Sequence, residues 1–297
     1  MPELPEVQAL AEALGARTVG HRISRVALAD LSALKTFDPP LTAIVGAVVE
    51  DVGRQGKYLD WTLQGTDRGP IHLIIHLSRA GWIRWIDSPS SVPPKPGSGP
   101  LALRVTFSDI TGQVVGGVDV TEAGTRKSLA IFVVKDPADV SGIARLGPDP
   151  LDASFTPEVF SRILDSAGGK QIKGVLRRQS VIAGIGNAYS DEILHAAKLS
   201  PFAPCSKLSP EQRIELLGAI RSVLFAAISR ASGSAPETLK SEKKAAMAVH
   251  GRTGEKCPVC GDVVREVSFA DSSLQYCPTC QTGGKVLADR RLSRLLR

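Results

Sequence analysis

The sequence predicts an α+β chain of more than one domain: an all-β N-terminal part, a sandwich or barrel with one leading helix, then a helical part, then a short cysteine-bound hairpin. Three observations predict it. Seven short runs rich in β-branched and aromatic residues, punctuated by Gly, Pro and Asp, fill residues 23–134. Beyond LGPDPL (146–151) the apolar residues recur with a helical period. Near the C-terminus CPVC and CPTC stand sixteen residues apart.

The leading helix is expected over 5–16, where Val7, Leu10, Ala11 and Leu14 share one face before Gly15. Strands are expected at 23–28, 47–52, 58–62, 71–76, 82–86, 101–107 and 128–134. DSPSSVPPKPGSGP (87–100) holds five prolines, whose missing N–H groups suit an exposed loop between strands. TPEVFSRIL, SDEILHAAKL and SPEQRIELLGAIRSVLFAAISRA are amphipathic. Thr156 and Ser209 stand as N-caps, each followed by proline at the first helical position. The resulting division is 1–140, 141–239 and 240–297, with no internal repeat.

Of the 297 residues, 43% are hydrophobic and 22% charged, an ordinary globular composition with material for a core. No apolar run reaches the length of a membrane span, and no basic-then-apolar leader opens the chain, which reads as a soluble intracellular protein with no membrane partner. The net charge of +6 is unevenly placed: residues 240–297 hold 11 Lys+Arg against 6 Asp+Glu, leaving 25 against 24 for the rest. Such a localised excess suits a polyanion such as nucleic acid, or equally a solvated tail. Two C-x-x-C pairs in such a chain read as one tetrahedral site. Cys257, Cys260, Cys277 and Cys280 would bind a structural Zn2+ and leave no coordination position for a catalytic water. Two disulfides suit an intracellular compartment poorly. Cys205 reads as a small apolar side chain.

The chain begins MPELPEVQAL. Read alone, Pro2 is a helix initiator, and Glu3 and Glu6 are partners of the helix dipole. In VIAGIGNAYSDEILHAA (181–197), Gly184 and Gly186 precede a helix with Asn187 at its cap, an arrangement that can seat a phosphate or form an ordinary corner. Taken in order, PELPEV (2–7), QGKYL (55–59), HLSRAG (76–81), LGPDPL (146–151), QIKGVL (171–176), AGIGNAYSDEIL (183–194) and HGRTGEKCPVCG…YCPTCQ (250–281) resemble the formamidopyrimidine-DNA glycosylase/endonuclease VIII family of base-excision repair enzymes.

That resemblance implies an N-terminal β-sandwich, a helix-two-turn-helix domain and a C-terminal four-cysteine zinc-finger hairpin, with DNA between the domains. It implies a bifunctional DNA glycosylase/AP lyase that acts on damaged, chiefly oxidised, bases in double-stranded DNA. The enzyme would be a monomer with one structural zinc and no catalytic metal, in the bacterial cytoplasm at the nucleoid. It further implies that Met1 is removed and that the secondary amine of Pro2, titrating near about 8, attacks C1′ of the damaged nucleotide. Glu3 is then the general acid/base and Glu6 an orienting or proton-transfer group. Lys57, Lys173 and Asn187 match the family's contacts to backbone phosphates, which position DNA without reading its sequence, while His76 matches the family's strand motif as a DNA-binding residue or, equally, is a packed strand histidine.

Three stretches depart from the family's pattern. Arg79 stands where a methionine fills the gap left by the flipped base. The loop that addresses the opposite strand reads DVTEAGTRKSL (119–129). Matching it on Asp119 and Gly124 puts Thr121 and Ala123 at the usual Arg and Phe, with Arg126 or Lys127 as the substitutes. Ser272 replaces the finger's arginine, with Gln275 as a weaker contact and Arg290, Arg291, Arg294 and Arg297 in a basic extension. The rival reading is a protein of the same fold that binds damaged or abasic DNA and excises nothing. A metal-dependent nuclease would need clustered His/Asp ligands that the sequence does not offer.

Overall fold

Proline and acid in the first turn, then apolar residues on one face, make helix α1 (Leu4–Thr18), whose Leu4, Val7, Leu10, Ala11 and Leu14 are buried. A computed structural model describes residues 1–65, 69–97, 99–124, 126–269 and 272–288. The strands that follow are β1 (Arg22–Leu28), β2 (Val48–Gln55), β3 (Tyr58–Gln64), β4 (Pro70–His76), β5 (Gly81–Ile86), β6 (Leu101–Ser108), β7 (Val114–Glu122) and β8 (Ala130–Val134). They pair antiparallel in the order β5-β7-β6-β1-β2-β3-β4-β8. All eight contribute to one core with α1; Ile23, Val49, Trp61, Leu73, Ile83, Phe107, Val120 and Ile131 are examples.

Strand β7 was not among the expected strands, because Gly116 and Gly117 interrupt its apolar pattern. The glycines mark close packing rather than a break. A Cβ on Gly116 would overlap the Trp85 indole, and one on Gly117 would press on the Val105 carbonyl oxygen. Because β7 lies between β5 and β6, the proline-rich connection must cross the end of β7, and this explains its length. Arg25 pins it by donating to the carbonyls of Ser90 and Ser91 at 2.7 and 2.8 Å.

The opposite face of the sheet carries a smaller cluster. Ile74 and Val134 lie there with Tyr58 and Phe132, covered by Val140 and by Ile143 of α2 (Ser141–Ala144). His72 and His76 alternate with the inward residues of β4 and so share this face.

The backbone divides into two units: residues 1–145 with 230–239, and residues 146–229 with 240–297. In the first, the returning segment contributes Leu239 to the core, and the Pro236 carbonyl accepts from Trp82 Nε1 at 2.9 Å. The second contains α3 (Pro157–Ala167), α4 (Ile172–Arg177), α5 (Asn187–Ala196) and the greater part of α6 (Pro210–Ala231) and of α7 (Leu239–Ala246). The hairpin β9 (Arg265–Ser268) and β10 (Ser273–Tyr276) follows, with α8 (Pro278–Thr282) after it. Thr156 Oγ1 caps α3 through the Val159 amide, as its sequence position predicts. Gly147 of LGPDPL is required by contact, since a Cβ there would overlap the backbone of Val181. Cys205 is fully buried. Among the described residues, no helix is long and apolar enough to cross a membrane.

The HLSRAG turn holds its glycine against backbone. Gly81 N donates to the Leu77 carbonyl at 2.9 Å, and a Cβ on Gly81 would overlap that same oxygen. Gly81→Ala should therefore cost about 3 kcal/mol, read as a lower urea midpoint at unchanged slope.

Candidate active site and nucleic-acid interface

The first unit places its candidate residues at the start of α1 and at two turns. Pro2 is buried, while Met1 is 51% exposed. Glu3 is the N-cap, extended at φ −120°, and its backbone N–H donates to Glu6 Oε2 at 2.8 Å. Glu6 thus satisfies one of the amides that a helix start leaves unpaired. That amide is attached to the carbonyl of Pro2, so the Glu6 carboxylate fixes the backbone next to the imino acid. Glu3 and Glu6 are 2% and 3% exposed.

Lys57 sits in the two-residue turn between β2 and β3, where Gln55 pairs with Tyr58. Gly56 supplies the positive φ of +58° that such a hairpin turn needs at its first central position. Across the next strand pair Tyr58 faces His76, their rings 4.5 Å apart. Burial, and then the charge of Lys57, lower the His76 pKa to about 4. The tautomer follows from hydrogen bonding. Ser78 Oγ–H donates to the Ser128 carbonyl at 2.6 Å, so toward His76 Nδ1, 3.0 Å away, the hydroxyl accepts. The neutral ring therefore carries its proton on Nδ1, leaving Nε2 as an acceptor.

Arg79 is exposed at the tip of the next turn, after Ser78 at φ +50°. The stretch expected as the opposite-strand loop lies partly within β7. Asp119 lies within β7 and pairs with Arg104 through two bonds of 2.6 and 2.7 Å, so it cannot open a loop. Thr121 is also in the strand, donating to the Trp82 carbonyl. The strand ends at Glu122, and the exposed residues beyond it include Arg126 and Lys127.

The second unit gathers its polar residues on α5. Gln179 braces the glycine turn before the helix, donating to the Ile185 carbonyl and accepting from Gly184 N. Gly184 has φ +84°, open to glycine alone at little cost. Asn187 is the first residue of α5, and its Nδ2 donates to the Ser273 carbonyl of the finger hairpin at 2.8 Å. Asp191 accepts from Lys173 Nζ at 2.6 Å and from His250 Nδ1 at 2.7 Å. Lys173 also donates to Ser190 Oγ and the Asn187 carbonyl, and it is 4% exposed. The lysine expected to grip a phosphate directly is thus enclosed in an ion pair. Glu192 accepts from the amides of Ala248, Val249 and His250. His195 Nε2 lies 3.2 Å from Cys257 Sγ.

The four cysteines meet. Their sulfurs lie within 4.8 Å of one another, as the edges of a tetrahedron with bonds of about 2.3 Å to zinc require. Burial pushes the Cys277 thiol up to about 11 and that of Cys280 up as well, so the cluster resists full ionisation until a dication shares the charge. These residues hold one structural zinc. When bound, the ion supplies cross-linking of the hairpin and no chemistry. Gln275, expected as a weak DNA contact, is 4% exposed and engaged with Glu266, Ser273 and Gly251. Ser272 sits in the β9–β10 turn, its carbonyl accepting from Phe269. The expected arginine extension lies outside the described residues.

Sequence reasoning missed Gln179, Asp191, Glu192, His195 and His250. One signal was present: Asn187, Asp191 and His195 recur every four residues, a polar stripe along one helix face.

A β domain with a buried proline at position 2, a glycine turn feeding α5, and a four-cysteine hairpin docked on that helix together define a zinc-finger protein of the helix-two-turn-helix class. Family models agree throughout: the formamidopyrimidine-DNA glycosylase N-terminal domain matches residues 1–127, the H2TH domain of that glycosylase matches 146–238, and the zinc finger found in FPG and IleRS matches 254–283. The chain belongs to the formamidopyrimidine-DNA glycosylase family. It is 33% identical to the formamidopyrimidine-DNA glycosylase of Symbiobacterium thermophilum over 98% of this chain and 93% of that one. It is 59% identical to an uncharacterised formamidopyrimidine-DNA glycosylase-like protein of Mycobacterium tuberculosis, over 51% of this chain and 94% of that one. A crystal structure of the Lactococcus lactis glycosylase, non-covalently bound to DNA containing an AP site, superposes with a TM-score of 0.77 at 26% identity, covering 94% and 99% of the two chains.

Two measurements check the site. Metal analysis should return one zinc per chain, and close to none for Cys277→Ser. His76 should make stability pH-dependent. Its folded pKa lies below the ordinary 6.5, so the unfolded chain binds the extra proton and stability falls as pH drops from 6.5 toward 4. The loss should approach about 3 kcal/mol, and His76→Phe should flatten that part of the profile.

Proposed function

We propose that this protein is a DNA glycosylase/AP lyase that removes damaged bases from duplex DNA through Pro2, the observation carrying the reading being the Glu6–Glu3 clamp that holds the buried second residue in place. Removal of the exposed Met1 turns the Pro2 nitrogen from an amide into a secondary amine. That nitrogen bonds to C1′ while the bond from C1′ to the base breaks, and the proton shed by the amine passes to the departing base. Ring opening then releases O4′, which takes a proton from the Glu3 carboxyl. The resulting iminium draws electrons from C2′, which loses a proton as the C3′–O3′ bond breaks and the strand is cut. Glu6 orients the terminus.

Lys57 holds a phosphate flanking the lesion, and His76, a neutral ring with Nε2 as an acceptor, receives a donor group of the DNA beside it. Arg79 fills the space of the extruded nucleotide, where its guanidinium plane can stack on bases, and Arg126 meets the duplex beside it. Asn187 presents the first turn of α5 to the backbone, and Lys173 supports that turn from within through the Asn187 carbonyl. The chain acts as a monomer in the cytoplasm, among nucleoid DNA.

Borohydride reduction in the presence of abasic duplex should trap a one-to-one covalent adduct at the N-terminus. A form that retains residue 1 should trap none, and Glu3→Gln should slow cleavage by about 10²–10⁴-fold. Binding without any adduct would instead identify a damage-binding protein that excises nothing. Affinity should fall with salt, and Lys57→Ala should reduce the slope of log K against log salt by about 1.

A further inference from the structure

Glu122 is buried and takes no part in the chemistry above. It ends β7, pairs with Gly81 across the strands, and is 2% exposed. Its carboxylate accepts from the amides of Ser128 and Leu129, with Oε1 at 2.9 and 3.1 Å and Oε2 at 3.1 and 3.2 Å. Ser128 Oγ adds a contact of 3.3 Å, and the Glu122 carbonyl accepts from Lys127 Nζ at 2.7 Å. One side chain therefore closes the base of the loop that carries Arg126.

The same loop is tied to the turn that carries Arg79. Ser78 Oγ donates to the Ser128 carbonyl at 2.6 Å, and the Ala123 amide points to the Ala80 carbonyl at 3.4 Å. Both arginines are exposed. An exposed cation on an unbraced loop loses conformational entropy when it orders on a ligand. A buried carboxylate holding two amides supplies that order in advance, and a carboxylate accepting backbone N–H groups binds them more strongly than a neutral acceptor would.

We propose that Glu122 is a positioning residue, which locks the Arg126 loop to the Arg79 turn so that the two arginines meet duplex DNA as one preformed element. This rests on the reading of Arg79 and Arg126 as duplex contacts.

The experiment compares Glu122→Ala, Glu122→Gln, Arg126→Ala and the Glu122→Ala/Arg126→Ala double variant, with melting temperature and zinc content as folding controls. Affinity is measured for a duplex and for a single strand, each containing a stable tetrahydrofuran abasic analogue, so the readout does not depend on catalysis. Glu122→Ala and Arg126→Ala should each weaken duplex binding about tenfold, and the double variant should be no weaker than the worse single, because both remove one device. Glu122→Gln keeps an acceptor oxygen able to serve both amides and should recover most of the affinity. Single-strand affinity should change less than twofold. Unaltered duplex affinity in Glu122→Ala, full additivity in the double variant, or an equal loss on both DNAs would overturn the proposal. Failure of borohydride trapping in the unaltered protein would count against the excision chemistry and leave these binding ratios to decide the role of Glu122.

Discussion

The structure depends first on one hydrogen bond, from the Glu3 amide to the Glu6 carboxylate. Chain termini fray because nothing on one side opposes their motion. A helix start adds to the difficulty by leaving amides without partners. Here the two liabilities cancel: an acid in the first turn satisfies an amide one residue beyond Pro2, and the surrounding core buries both carboxylates. The start of α1 becomes a fixed point, as the proposed role of Pro2 requires. The proline at position 5 strengthens this, since it fits the first turn without wasting a donor.

The second unit solves a different problem, that of holding a small metal-bound hairpin. A hairpin of two four-residue strands cannot bury enough apolar surface to stand alone. Zinc cross-links it, and α5 anchors it through polar bonds spread over its length. Asn187 reaches the Ser273 carbonyl, Asp191 reaches His250, Glu192 collects three successive amides, and His195 approaches Cys257. Each of these acids is nearly or fully buried and each is satisfied, so its desolvation is offset by several partners. His195 next to a zinc ligand links metal and helix directly, as groups behind metal ligands commonly do. The first turn of α5 is thereby held by the same bonds that hold the finger.

Departures from the sequence-based expectations have a common origin. β7 was hidden because its glycine pair resembles a turn, while the reasons for the glycines, the Trp85 indole and the Val105 carbonyl, lie on other strands. The loop expected over 119–129 begins later than its sequence suggests, because Asp119 pairs with Arg104 on the neighbouring strand. Lys173 and Gln275 carry the chemistry of DNA contacts, yet Asp191 and Glu266 take up that chemistry inside the fold. In each case the deciding neighbour is distant in sequence.

The amino-acid sequence by itself determined the features that depend on spacing along the chain: the helix at the N-terminus with its two acids one turn apart, the tight turn at Lys57, the caps of the helical part, and the four cysteines of the metal site. Local geometry suffices for these, because a helical turn or a C-x-x-C knuckle is complete within a few residues. Tertiary structure alone decided which charges remain available and which are consumed, what Glu122 does, and which face of the sheet His76 occupies with Tyr58. A polar side chain has the same hydrogen-bonding capacity in every sequence context. Burial and the partner brought to it by folding determine whether that capacity is directed at a ligand or at the protein itself.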